Sequence, residues 1–175
     1  MPLDIVDKGQ IANETDAMRA SREKMIAASP PAQPFRLRAE MLKQGRSNQV
    51  VAETENMWVN LKVYASGGEN GLHNHTDQDH FHLVLNGSAR FYGPCSEELD
   101  CGPYEGIMLP SGSFYRFHAT SAEPLVLLRV GAWTKDKGGH PRFNVYGDPL
   151  PSDSKENGRV DVIKRVGEYW GAAAK

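Results

Sequence analysis

Four of the six histidines in this chain fall within ten residues: His73, His75, His80 and His82. A neutral imidazole carries one lone pair, titrates near neutral pH and is a common ligand of divalent transition metals. Along an extended strand, residues i and i+2 point the same way, so His73 and His75 offer two imidazoles to one point in space. The polar Thr76-Asp77-Gln78-Asp79 reads as a solvated turn that returns the chain and presents His80 from the neighbouring strand. Asp79 becomes a carboxylate ligand if that turn is one residue shorter. Three imidazoles converging in this way suit a divalent metal and leave one face open for water or substrate, as a catalytic metal site requires. His73, His75 and His80 are therefore the expected metal ligands. His82 shares the parity of His80 and belongs one step deeper, in the lining of the same pocket.

The elements that must position this cluster are short and β-rich. Candidate strands are Met57–Tyr64, His80–Leu85, Ala89–Tyr92, Ile107–Leu109, Phe114–His118 and Leu125–Val130. Turn signals separate them: Ser66-Gly67-Gly68, Asn86-Gly87, Gly93-Pro94, Gly102-Pro103, Pro110-Ser111-Gly112 and Ala122-Glu123-Pro124. Asn86-Gly87 is the strongest hairpin signal in the chain. Many short strands at this spacing argue for an antiparallel sandwich or barrel. Residues 1–48 read instead as a helical arm. Asn13 followed by Asp16 resembles a capped start, Glu14 to Ala28 is rich in helix formers, and Ser29-Pro30-Pro31 stops it. A second short helix is expected from about Arg36 to Gln44, with Gly45 closing it. Residues 136–175 form a C-terminal extension, with Val160 to Trp170 either a helix or an edge strand. The barrel then occupies 49–135.

The spacing in the middle zone resembles the first motif of the cupin superfamily. Gly67, five residues, His73-x-His75, four residues, His80, six residues and Gly87 follow that motif throughout, with His80 where the family usually has glutamate. The second motif is matched by Pro110-x-Gly112, but Gly106 falls two positions late, Tyr115 replaces the usual fourth ligand histidine, and Ala119 replaces asparagine. The resemblance covers about residues 50–132. It implies an all-β double-stranded β-helix, a jelly-roll barrel carrying the helical arm and the C-terminal tail. It also implies a divalent transition metal. The three-histidine shell resembles that of cupin-type iron dioxygenases, which puts Fe(II) first, then Zn, Mn or Ni. A shell of neutral ligands leaves a metal at +2 and favours an anionic, chelating substrate. Cupins of this kind commonly pair through their sheets, so a homodimer is expected.

Tyr115 is the expected catalytic residue. It stands either as a phenolate ligand or behind the ligands as an acid, base or hydrogen-bond donor, and the second is preferred because a phenol ionises only under strong persuasion at pH 7. Trp58, Asn60, Lys62 and Tyr64 share one parity of a strand and line either the pocket or a subunit interface. Phe91, Tyr92, Phe114 and Phe117 read as core. Arg116 and Arg129 sit amid apolar strand residues. Either can anchor a substrate carboxylate, but a salt bridge to an acid within the chain is the preferred reading. His118 has the wrong parity for the cluster, and His140 lies in a Gly/Pro loop.

Composition supplies the exclusions. Basic residues number 20 and acidic residues 22, for a net charge of -2, so no global basic field draws nucleic acid. The N-terminus has acids where a signal peptide has bases, and no aliphatic run approaches membrane-spanning length. A cytoplasmic protein without membrane or nucleic-acid partners is expected, with Cys95 and Cys101 as free thiols. Three functions compete: a non-haem iron oxygenase, a non-redox metal-dependent lyase, isomerase or dehydratase using Tyr115, and a cupin that binds a small molecule without turnover.

Overall fold

The computed structural model describes residues 13–134, 142–152 and 154–173. His140 and most of its Gly/Pro loop lie outside the described residues. The chain divides into two compact units, 1–34 and 35–175. Among its described residues the first carries a helix, α1 (Asp16–Ala27), capped by Thr15, whose hydroxyl accepts from the Met18 amide. The cap is thus two residues beyond the expected Asn13. The helix buries none of its residues. No helix among the described residues is long and apolar enough to cross a membrane.

The described part of the second unit is built of strands, apart from a short 3-10 helix at Lys155–Asn157. It comprises β1 (Arg38–Gln44), β2 (Arg46–Glu53), β3 (Met57–Tyr64), β4 (Asn74–His75), β5 (Gln78–Asn86), β6 (Ala89–Tyr92), β7 (Glu98–Cys101), β8 (Gly106–Leu109), β9 (Arg116–Ala119), β10 (Leu125–Trp133), β11 (Arg142–Phe143) and β12 (Ile163–Gly171). A five-stranded sheet runs β2-β3-β10-β5-β8, a three-stranded sheet runs β7-β6-β9, and β11 pairs with β4. This is the expected jelly-roll barrel. The segment read as a second helix is instead strand β1, paired antiparallel with β12. Residues 38–53 therefore belong to the sheets and not to a helical arm. Gly45 does take a positive φ, 82°, but as the bend between two strands. The C-terminal piece resolves as strand β12. Asn86-Gly87 also differs from expectation. β5 and β6 lie in different sheets, so the turn carries the chain across the barrel and does not close a hairpin.

Two apolar clusters hold the sheets. One fills the barrel with Tyr64, Val84, Phe91, Leu109, Tyr115, Phe117, Leu125 and Leu127. The other packs Ala39, Met41 and Leu42 of β1 against Leu61, Val63 and Val126. The period-2 alternation along β3, β5 and β10 decides which residues face in. Registers on the inner face then give three rows across β3, β10 and β5: Trp58–Gly131–His80, Asn60–Arg129–His82 and Lys62–Leu127–Val84. The polar chemistry sits at one end of these rows, and the apolar core at the other.

Candidate functional site

The histidines are delivered by register. His73 bridges Tyr115, each amide donating to the other's carbonyl at 3.1 and 2.9 Å. Two residues on, His75 pairs with Arg142 of β11. His80 and His82 rise from β5 on its inner face. The rings gather as the spacing predicts: centroids lie 5.2 Å apart for His73 and His75, 4.4 Å for His75 and His80, and 4.5 Å for His73 and Tyr115. His73, His80, His82 and Tyr115 are buried, and His75 is half-buried.

Arg129 organises the deep end of the cluster. Its Nε donates to His82 Nε2 at 2.8 Å, and its Nη2 lies 3.3 Å from both His80 Nδ1 and the Tyr115 hydroxyl. Its guanidinium also lies over the Trp58 ring, 5.6 Å from the centroid. The expected salt bridge is not formed: among the described residues, neither Arg129 nor Arg116 pairs with a carboxylate, and Arg116 stacks on Tyr92. Burial first, then the Arg129 charge, holds the His80 and His82 rings far below the ordinary imidazole range. Burial and Arg142 push His73 down to about 2. All three are neutral at any physiological pH.

The tautomers follow from these contacts. The Nδ1–H of His73 donates to the Gly71 carbonyl at 2.7 Å, which leaves Nε2 with its lone pair. That is the orientation a metal ligand takes. His80 is set the other way. A guanidinium only donates, so His80 Nδ1 accepts and the ring proton sits on Nε2, a buried atom with no partner. An N–H cannot ligate. Arg129 also places a fixed positive charge in contact with the cluster, and among the described residues it forms no ion pair with a carboxylate. As arranged, the donor set does not fit a divalent cation held by His73, His75 and His80. Among the described residues, no group of three or more His, Cys, Asp or Glu side chains is placed to hold a metal ion.

The cavity beside the cluster has a different character. It encloses about 320 Å³ and is lined by His73, His75, Gln78, Asn70, Pro149, Leu150, Pro151, Ser152 and four bases: Arg46, Lys62, Arg129 and Arg142. No acid is among these lining residues. Arg46 is held by the carbonyls of Gly68 and Glu69 and by Asn70. Arg142 Nη2 donates to Asn157 Oδ1 at 2.8 Å, while its buried Nε has no partner. Asn157 is fully buried and also donates to the Ser152 carbonyl, so it ties one wall together. Burial, and then the Arg129 and Arg46 charges against an opposing effect of Tyr115, lower Arg142 to about 10. It stays cationic at neutral pH.

The remaining expected residues fall as follows. His82, Trp58, Asn60 and Tyr64 are not in the lining of this cavity. His82 and Tyr64 are fully buried. Trp58 donates from Nε1 to Gln78 Oε1 at 2.8 Å and meets the His80 ring edge-on at 5.3 Å. Tyr115 stands behind His73, and burial raises its phenol above the ordinary value, which argues against a phenolate. Asp77 and Gln78 are buried, not solvated, and Asp79 accepts from the Ser111 amide at 2.7 Å. His118 sits apart, against Tyr92. Cys95 and Cys101 are both free. Arg46, Arg142 and Asn157 were not anticipated, since the short segments that carry them hold no motif.

No protein-family model matches the chain, and no curated protein does. Solved structures similar to it include a cupin superfamily protein from Desulfitobacterium hafniense (16% identity, TM-score 0.48, 54% of this chain and 83% of that one). KdgF from Halomonas sp. is 18% identical with TM-score 0.46, over 53% of this chain and 82% of that one. A protein with a double-stranded beta-helix domain from Klebsiella pneumoniae is 18% identical with TM-score 0.44, over 61% and 80%. The strand order described above defines the fold by itself. It is a double-stranded β-helix, a jelly-roll barrel. The cavity therefore opens inside a barrel whose deep end is apolar and whose other end is basic.

Proposed function

We propose that this barrel binds a small organic carboxylate between the basic wall and the neutral imidazoles. The supporting observation is the lining: four basic side chains, no described acid, and two histidines around about 320 Å³. A guanidinium binds a carboxylate through a two-pronged, charge-assisted pair. Buried cations without a counter-charge are costly to keep, and a bound anion removes that cost. The volume is at the small end for ligand cavities. Pro149, Leu150 and Pro151 supply an apolar wall that an inorganic anion does not need. In this reading His75, at the cavity, and Tyr115, behind it, are the groups able to move protons in a non-redox reaction.

The test is calorimetric titration with small carboxylates, phosphate and sulfate. Saturable binding of organic carboxylates, weakened by Arg142→Met, supports the reading. Binding of inorganic anions alone, or of none, overturns it. The second reading is a metal-dependent oxygenase with Fe(II), Zn, Mn or Ni at His73, His75 and His80. The free Nε2 of His73 and the close ring spacings favour it. It requires His80 to exchange tautomers and Arg129 to withdraw. Metal retained through purification and lost in His75→Ala supports that reading.

A further inference from the structure

We propose that Lys62 is a covalent carbonyl-binding residue: its amine condenses with the keto group of a small oxoacid whose carboxylate is held by Arg129 and Arg142. The proposal rests on the carboxylate-binding reading above and adds a chemical step to it. Lys62 lies on the inner face of β3, in the row with Leu127 and Val84, and lines the same cavity as the two arginines. It also borders an adjoining cavity with Ser47, Asn48 and Arg159. The residue is half-buried and reaches solvent only through the cavities that it lines.

Its surroundings lack what a lysine normally finds. Among the described residues Lys62 makes no ion pair and no hydrogen bond, and its ring contact is with Tyr64, whose centroid lies 6.0 Å from Nζ. Three guanidiniums share its cavity, and no carboxylate is among the described residues that line it. An ammonium is disfavoured in such a place and a free amine is favoured, which is how a lysine becomes a nucleophile near neutral pH. Consistent with this, burial first and then Arg129, Arg46 and Arg142 hold its amine well below the ordinary lysine range. The same guanidiniums attract an anion, so one set of charges recruits the oxoacid and keeps the amine unprotonated.

The step balances without a further reactant. The Nζ lone pair attacks the keto carbon, a C–N bond forms, and the carbonyl electron pair moves to oxygen. Both amine protons end on that oxygen, which leaves as water when the C=N bond closes. The imine keeps the carboxylate in place and draws electrons from the neighbouring carbon–hydrogen or carbon–carbon bond.

The experiment treats the full chain with pyruvate, 2-oxobutyrate or 2-oxoglutarate in the presence of sodium cyanoborohydride, with lactate as a carboxylate that cannot condense. The expected result is a single adduct on the peptide containing Lys62, heavier by the oxoacid less one oxygen atom and suppressed by excess lactate. Lys62→Met is expected to lose the adduct. If the oxoacids and lactate bind but no adduct maps to Lys62, the lysine is only a counter-charge and the inference falls while the carboxylate reading stands. If neither class binds, both fall. Adducts scattered over surface lysines without preference for Lys62 also overturn it. Peptide mapping on the unmodified sequence decides the matter even if Lys62→Met does not fold.

Discussion

Replacing Arg129 by methionine separates what this residue does for the fold from what it does for a ligand. In the ligand-free protein the substitution removes one well-formed contact, to His82 Nε2 at 2.8 Å, and two long ones at 3.3 Å to His80 and Tyr115. A charge-assisted hydrogen bond of normal length contributes about 1.5–3 kcal/mol, and long ones contribute less. Against this, a buried cation without a carboxylate costs several kcal/mol in lost hydration. The two effects nearly cancel, so the variant should stay within about 2 kcal/mol of the parent. For a chain of this length that is a melting shift of under about 8 °C in either direction. Ligand binding has no such compensation. Losing one guanidinium–carboxylate pair should weaken a small carboxylate by about 10- to 150-fold. Scanning calorimetry gives the first quantity and titration calorimetry the second. A variant that binds carboxylate as tightly as the parent refutes the reasoning. So does one destabilised by more than about 4 kcal/mol, which would make Arg129 a structural brace.

Three further outcomes follow from the same geometry. At Gly131 a methyl group would overlap the Trp58 indole, which lies across β10 toward His80; Gly131→Ala should displace the indole, seen as a shift in tryptophan fluorescence, and weaken ligand binding. Asn157→Ala strips Arg142 Nη2 of its acceptor and unties the Ser152 carbonyl, which should cost about 2–3 kcal/mol and lower the melting temperature by roughly 4–12 °C. His73, His80 and His82 have folded values far below the unfolded 6.5. Above that pH both states are neutral and stability is full. Below it only the unfolded chain takes up protons, so stability should fall by up to about 1.4 kcal/mol per pH unit for each ring. Melting temperatures unchanged between pH 7 and 5 would contradict the buried neutral cluster.

Much of the barrel is legible in the sequence because its central strands alternate with period 2 and are bounded by Gly and Pro. β3 and β6 have the expected bounds, and β5, β8 and β10 differ by a few residues at most. β1 is not legible. Its residues Arg38–Gln44 are rich in helix formers, and its partner β12 lies more than a hundred residues away, so pairing overrides local preference. The turn at Asn86-Gly87 is read correctly as a turn and wrongly as a hairpin, because sequence shows the reversal but not the sheet that receives the next strand. The histidine cluster is found by spacing. Its tautomers are not, since they depend on Arg129, which spacing treats as one charged residue in an apolar strand. A preference for a salt bridge assumed a nearby acid, and the register places Asn60 and His82 beside Arg129 instead. Arg142 reaches the site through β11, a strand of two residues with no pattern of its own.

The most direct measurement is titration calorimetry of a small carboxylate into protein dialysed against a strong chelator. The carboxylate account predicts saturable binding at one site per chain that is unaffected by removing metal and lost on substituting Arg129 and Arg142 together. Binding that vanishes with the chelator and returns on adding Fe(II) or zinc would contradict it and place a metal at the histidines.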